Sequence, residues 1–397
     1  MAINDLALER AVAALDGLKI EIPSWGFANT GTRFGKYLQP GAATSLDEKF
    51  ADASLVNSLT GITPQLALHV QWDLPNGRRD VANVKSLSAK YGVQAGSINP
   101  NLFQDQEYKF GSICNPDPNV RRKAIDHLIE SVELAKALGS KDISLWVSDG
   151  SNYPGAQSIR HRICWFEEAL QATHEELAPD QRLLVEYKPF EPAFYHTDVA
   201  DWGMAVHFAR VAGPQARVLV DTGHHYQSQN IEQIVAWLMH LRLLGGFHFN
   251  DRRYADDDLT IGSIDPYQVF RIYHEIFSEP DPAVSGDVAY MIDQSHNVKG
   301  KVEEMVQTVV IAQELFLKAA LVNRELLAGF QAKARTVDAE ECFREAFWTD
   351  VRPILKEWRS KRGLPESPLK ALRESGYTER IERERRDRNA VLPSAYA

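Results

Sequence analysis

An α/β fold, a (β/α)8 barrel with a C-terminal helical extension, is what this 397-residue sequence predicts. Three observations carry the prediction. Short apolar runs alternate with longer amphipathic segments from Leu18 onward; the runs number eight; and the last four of them end in carboxylate or imidazole side chains. Parallel strands joined by crossover helices produce that alternation. A barrel of eight such units often exceeds about 250 residues as one domain.

The strand-like runs are Leu18 to Ile22, Gln65 to Val70, Val93 to Ile98, Asp142 to Val147, Arg182 to Tyr187, Ala216 to Asp221, Leu244 to Phe249 and Val288 to Asp293. Helices are expected near 46–60, 79–91, 119–139, 157–178, 198–212, 230–243, 265–277 and 299–327. The segment 119–139 shows the logic. Pro118 stands near its start, Ile125, Leu128, Ile129, Val132, Ala135 and Leu138 recur at three- and four-residue spacing, and Gly139 stops it. Past about Asn323 the alternation ends. The expected organisation is a catalytic barrel over 1–325 and a helical extension over 326–397 engaged in subunit contacts. Its Glu379 to Arg386 run mixes both signs, which reads as a solvated helix face.

Composition narrows the function classes. An apolar fraction of 44% with 25% charged residues is that of an ordinary globular chain. The net charge of −10 argues against a broad phosphate-binding surface, so nucleic acid is not an expected partner and a small molecule is. No apolar stretch approaches the roughly 20 residues that span a bilayer, and no leader pattern opens the chain, so the expectation is a cytoplasmic protein without membrane contact. Cys114, Cys164 and Cys342 are widely separated, odd in number and lack a Cys-x-x-Cys spacing, and they read as free thiols.

The chemistry concentrates where strands end, since the mouth of such a barrel is built from the loops that follow its strands. Side chains alternate along a strand, so Glu186 and Lys188 point one way, as do His248 and Asn250. Carboxylates inside apolar runs, here Glu186, Asp221 and Asp293, need a compensating cation. A divalent metal supplies one. Two ligand sets can be assembled: Glu186, Asp221, His248 and Asp293 for the first, and Asp221, His224, Asp256 and Asp258 for the second. Oxygen-rich sets with one imidazole each suit Mn²⁺, Mg²⁺ or Co²⁺ better than a closed zinc site. Taken singly, a strand-end Asp is more often a helix cap than a ligand, and Asp256 to Asp258 alone reads as an exposed acidic loop; their recurrence at successive strand ends favours the ligand reading. His225 and His296 read as supporting hydrogen-bond partners. Trp25, His69, Asn99 and Trp146 come one from each of the first four strands, and the two indoles read either as core or as a wall for a sugar's C–H faces.

The string Glu186-Tyr187-Lys188-Pro189-Phe190-Glu191-Pro192 resembles the Glu-x-Lys-Pro-x-Glu-Pro signature of the D-xylose isomerase superfamily. The segments Pro23 to Gly26, Gly31 to Phe34, Asp149 to Asn152, Glu191 to Tyr195, Gly223 to His225, Gly246 to Asp251 and Met291 to Asn297 further resemble the bacterial L-rhamnose isomerases of broad sugar specificity. Asp221, where xylose isomerases carry a bridging Glu, and His248, where they carry Asp, favour that branch.

The resemblance implies a metal-dependent barrel, usually a homotetramer, that converts L-rhamnose to L-rhamnulose and accepts aldoses such as D-allose. It implies two divalent ions per subunit, Mn²⁺ foremost with Co²⁺ or Mg²⁺ as alternatives. The first, structural ion falls to Glu186, Asp221, His248 and Asp293, and the second, catalytic one to Asp221, His224, Asp256 and Asp258. By the same implication Asp293 assists proton transfer between O1 and O2, Lys188 stabilises charge at O1, and His69 contacts the ring oxygen. Trp25, Trp146 and Phe34 join the substrate contacts, with Phe34 reaching a neighbouring subunit's site. The alternative within the superfamily is a ketose 3-epimerase. A three-zinc DNA-repair nuclease on the same barrel would need more His and a basic groove.

Overall fold

The eight runs become eight parallel strands, hydrogen-bonded in chain order: β1 (Ile20–Pro23), β2 (Gln65–His69), β3 (Gln94–Asn99), β4 (Asp142–Leu145), β5 (Arg182–Glu186), β6 (Ala216–Asp221), β7 (Leu244–Phe249) and β8 (Ala289–Ile292). Pairing of Ile20 with Tyr290 and of Glu21 with Met291 joins β1 to β8 and closes the barrel. These elements come from a computed structural model that describes residues 5–29, 37–189, 196–294 and 298–390.

The strands are buried on both faces along most of their length, β5 and β7 throughout, which is why the runs are apolar rather than alternating. Leu183, Val185, Val218 and Val220 face outward into the main core beneath the helices, whereas Leu184, Leu219 and Met291 form a separate apolar cluster inside the barrel. Below that cluster, Arg182 grips Asp142 through Nε and Nη2 at 2.7 and 3.0 Å and reaches Asp287 at 2.9 Å, closing the floor with a paired charge. Beside it, Glu21 accepts from the backbone N–H and the hydroxyl of Ser97 at 2.7 and 2.5 Å. Gly96 has no side chain because a Cβ there would collide with that carboxylate. Strands thus deliver alternate residues to a packed interior, and the next inward position of each lies at the mouth.

The helices follow the expected order. Asp117 caps Pro118–Leu138 and Gly139, at φ 72°, ends it, while Ser45 caps Leu46–Thr60 and Gly61, at φ 77°, ends that. Two differences from the sequence reading have local causes. The expected helix 299–327 is two: Lys301–Ala320 stops, and Asn323 caps Arg324–Gln331 by accepting from Leu326 N at 3.0 Å. A helix not expected, Asp5–Gly17, precedes β1, and its Asp16 accepts from Trp358 Nε1 at 2.8 Å. No single helix among the described residues is long and apolar enough to cross a membrane.

Beyond Arg324–Gln331 the helices Thr336–Trp348, Arg352–Ser360, Pro368–Glu374 and Tyr377–Arg385 run back to the first half of the barrel. Arg359 Nη2 donates to Gln313 Oε1 at 2.6 Å, and Gln313 donates to Thr60 O. The charged tail is only partly a solvated face. Arg385 is buried and forms a two-pronged pair with the fully buried Asp52 at 2.8 and 2.9 Å, while Tyr377 donates to the same carboxylate at 2.6 Å. Asn389 donates to Pro40 O and Ala42 O and accepts from Asn29 Nδ2 at 2.9 Å.

Two outcomes follow from these buried charges. Arg385→Ala leaves Asp52 without its cation and should cost about 3 kcal/mol or more in urea unfolding; an unchanged midpoint would show that the tail is not integral to the core. Burial pushes Glu21 up to about 7 against the pull of its Ser97 hydrogen bonds. A carboxyl raised on folding stabilises below its unfolded pKa and loses that contribution as pH rises through the folded one. Glu21→Gln should therefore gain about 3 kcal/mol on wild type between pH 5 and pH 8, and parallel stability curves for the two proteins would refute this.

Candidate metal and sugar site

The last inward positions of β5, β6 and β7 and the residue after β8 place Glu186, Asp221, His248 and Asp293 around one point. Asp221 is oriented by a backbone and an amide donor. Gly223 N and Asn250 Nδ2 donate to Asp221 Oδ1 at 2.6 and 3.0 Å, which turns Oδ2 towards the centre. Thr222 Oγ1 and the backbone of Asn250 exchange hydrogen bonds at 2.8 and 3.0 Å, locking the β6 and β7 loops together. Glu186 spans two imidazoles: Oε1 lies 3.2 Å from His224 Nδ1 and Oε2 lies 3.2 Å from His248 Nδ1.

The histidines are aimed by what they touch on their far sides. His224 Nδ1 is 3.0 Å from Tyr187 O, a carbonyl that can only accept, so the proton belongs there and Nε2 faces Asp256 Oδ2 at 3.4 Å and Asp221 Oδ2 at 3.7 Å. His248 Nε2 lies 3.5 Å from Ser144 Oγ, and its Nδ1 points to the centre, 3.8 Å from Asp293 Oδ2. Behind them, Tyr187 Oη and His225 Nε2 are 2.6 Å apart. His225 is held down to about 3 by burial and by Arg252, and so is neutral.

Two groups of candidate ligand atoms result, Glu186 with Asp221 and His248, and Asp221 with His224 and Asp256. Asp221 belongs to both. All five residues are buried, and Asp221 Oδ2 makes no hydrogen bond among the described residues. Buried polar atoms left in that state are costly, and convergent ones fit a cation. The titration behaviour agrees. Burial would raise Glu186, yet the neighbouring imidazoles hold it at about 2. Burial would depress His248, yet Glu186, Asp293 and Asp221 lift it to about 9. Burial pushes Asp221 up to about 7 despite His224. The cluster draws positive charge to itself, and its donor set of carboxylates and imidazoles fits divalent metal.

Of the other anticipated ligands, Asp293 sits at the edge of the first group, with Trp25 Nε1 donating to its Oδ1 at 2.8 Å. Asp258, in the left-handed region at φ 49°, lines the same cavity but stands outside both groups. Cys114, Asp149 and Asp198 also cluster, but there Arg162, fully buried, supplies the cation through its 2.7 Å pair with Asp198.

The cavity above the carboxylates has a polar and an aromatic side. Lys188 Nζ is 2.5 Å from Asp256 Oδ2 and 5.4 Å from the Trp146 ring. Trp25, His69 and Trp146 line it as the sequence anticipates, and Phe34 lies outside the described residues. Trp72 and Phe103 complete the wall and were not anticipated. His69 stacks on Trp72 at 3.7 Å and 19°, and Phe103 lies 5.0 Å from Trp146. The available signal for Trp72 was its three-residue spacing from His69, across the single turn Val70–Asp73.

Residues 63–277 match the family described as the xylose isomerase-like TIM barrel. Two proteins named probable sugar isomerases are similar over nearly the whole chain. That of Rhizobium meliloti (strain 1021) is 39% identical over 391 residues, covering 97% of this chain and 90% of the relative. That of Mesorhizobium japonicum is 38% identical, covering 96% and 89%. A xylose isomerase of Thermus thermophilus is 27% identical across 49% of the chain and 54% of its own length. This chain belongs to the xylose isomerase-like TIM barrel family. The solved structure of a xylose isomerase domain protein from Alicyclobacillus acidocaldarius superposes with a TM-score of 0.55 at 14% identity, over 76% of this chain and 99% of that one. A D-allulose 3-epimerase from Methylomonas sp. gives 0.53 at 12%, over 74% and 95%, and at such identities the likeness is one of fold. The wider family implied by the Glu186 to Pro192 string is thus the right one.

His69 offers a test that needs no ligand. Burial, then Lys49 and His127, lower its pKa well below 6.5. Its NMR titration should show a neutral ring at pH 6, with folding stability lost as pH falls below the unfolded value; a midpoint at or above 6.5 would contradict the packing described.

Proposed function

We propose that the protein is a divalent-metal-dependent aldose–ketose isomerase that interconverts L-rhamnose and L-rhamnulose and accepts other aldoses such as D-allose. The observation that carries the reading is Asp221, one buried carboxylate shared by two groups of ligand atoms beside an aromatic-walled cavity. Membership in a family whose full-length relatives are named probable sugar isomerases supports it. In this reading Glu186, Asp221, His248 and Asp293 hold a first ion, and Asp221, His224, Asp256 and Asp258 hold a second, with Mn²⁺ preferred over Co²⁺ and Mg²⁺. Bound there, two divalent ions stabilise negative charge on neighbouring sugar oxygens.

The chain's own groups do the rest. His69, neutral and wedged between indoles, presents a ring nitrogen to the sugar's ring oxygen as the aldose opens. Lys188, fixed by Asp256 and the Trp146 face, offers positive charge to O1 as the C2 hydrogen passes to C1. Asp293, steadied by Trp25, relays the proton between O2 and O1. Trp25 and Trp146 lie against the C–H faces of the sugar, and Phe34 of an adjacent subunit covers its methyl end. The same reading makes the protein a cytoplasmic homotetramer whose barrel, 1–325, does the chemistry and whose extension, 326–397, serves subunit contacts.

Ketose formation should vanish on chelation and return with Mn²⁺, faster on L-rhamnose than on D-allose or L-lyxose. Asp221→Asn should lower metal content at both sites together, with activity falling more than about a hundredfold, the scale on which a fixed charge acts in a water-excluded site. Full activity in chelator would refute the metal reading. Epimerised ketose without aldose would replace the isomerase with an epimerase.

A further inference from the structure

At the end of β3, Asn99 lines the cavity on the side away from the carboxylate cluster, and its orientation is set from below. Its side-chain nitrogen lies 3.2 Å from Leu68 O and 3.4 Å from Ser97 O. Both are carbonyl oxygens, which only accept, so the atom that faces them is Nδ2 and not Oδ1. Ser97, one inward position deeper, adds its hydroxyl oxygen at 3.3 Å and is itself anchored to Glu21 on the barrel floor through its backbone N–H and hydroxyl. A planar carboxamide with its nitrogen directed down into the strands turns its oxygen the opposite way, towards the cavity.

The neighbouring polar groups give that oxygen a distinct task. Trp25 Nε1 is engaged with Asp293 and Trp72 Nε1 with Gln104 at 2.9 Å, so two indole N–H groups of this wall are already committed within the protein. Asn99 Oδ1 is a neutral acceptor on that side, held rigidly and set among aromatic rings. We propose that Asn99 is a specificity-determining contact, accepting a hydrogen bond from one hydroxyl of the bound sugar, with Ser97 as the residue that keeps the acceptor facing it. This rests on the reading of the cavity as a sugar site. A fixed acceptor rejects a ligand that lacks the matching hydroxyl, because desolvating it then brings no hydrogen bond in return.

The test is a cycle between the protein and a series of monodeoxy sugars, using the metal-loaded wild type and Asn99→Ala. Binding of the corresponding deoxy alditols, which cannot turn over, is measured by calorimetry beside kcat/KM for the aldoses. One deoxy position should weaken binding to wild type about tenfold and cost Asn99→Ala nothing more, while penalties at the other positions and the metal content stay the same. Ser97→Ala, which leaves Asn99 in place, should lower the penalty at that same position. Undiminished penalties at every position in Asn99→Ala would overturn the inference and leave the isomerase reading intact. A wild type that neither binds alditols nor converts any aldose would remove both.

Discussion

Everything at the mouth of this barrel follows from one electrostatic constraint: carboxylates delivered by neighbouring strands converge where water is nearly excluded. Asp221 is the extreme case, fully buried and placed between two imidazoles, His224 and His248, and three further acids, Glu186, Asp256 and Asp293. Such a group is tolerable only if positive charge meets it. The cluster responds by raising His248 and His224, and the same demand makes it receptive to divalent ions. Stability and chemistry therefore pull in opposite directions here, and the fold resolves the conflict with a rigid closed sheet beneath the site.

Rigidity is visible in how few degrees of freedom the ligand atoms retain. Asp221 is fixed by a turn amide and by Asn250, His224 by the carbonyl of Tyr187, one residue past the end of β5, and the β6 and β7 loops by the Thr222–Asn250 exchange. None of these partners is itself a candidate ligand. They pre-set tautomer and direction so that little reorganisation is needed when charge develops. The polar floor of the barrel extends the same order downward, through Ser97 to Glu21 and across to the Arg182–Asp142 pair.

The sequence was most legible where burial is two-sided. A parallel strand covered on both faces must be apolar throughout, so all eight runs stood out, and a polar residue at the end of such a run had few explanations. That is why the sequence alone groups Glu186, Asp221, His248 and Asp293. Legibility failed where local pattern and tertiary role part company. Trp72 and Phe103 sit in short post-strand segments without periodicity, and only the fold turns them to the cavity. The helix break at 321–323 depends on a cap that an apolar repeat hides. Arg385 looked like one solvated charge among several, because nothing nearby in sequence reveals that its partner is Asp52.

That pairing also bears on the order in which the molecule is made. Asp52 belongs to the first helix after β1, yet the guanidinium that neutralises it is synthesised 333 residues later. Asn29 waits still longer for Asn389, 360 residues on. During translation the opening barrel unit carries a buried acid with no cation, so it cannot settle while the rest of the chain emerges. The tail is thus a late fastener: the first strand–helix unit has its full set of partners only once Arg385 and Asn389 have been made, and a chain lacking them leaves its beginning unfinished.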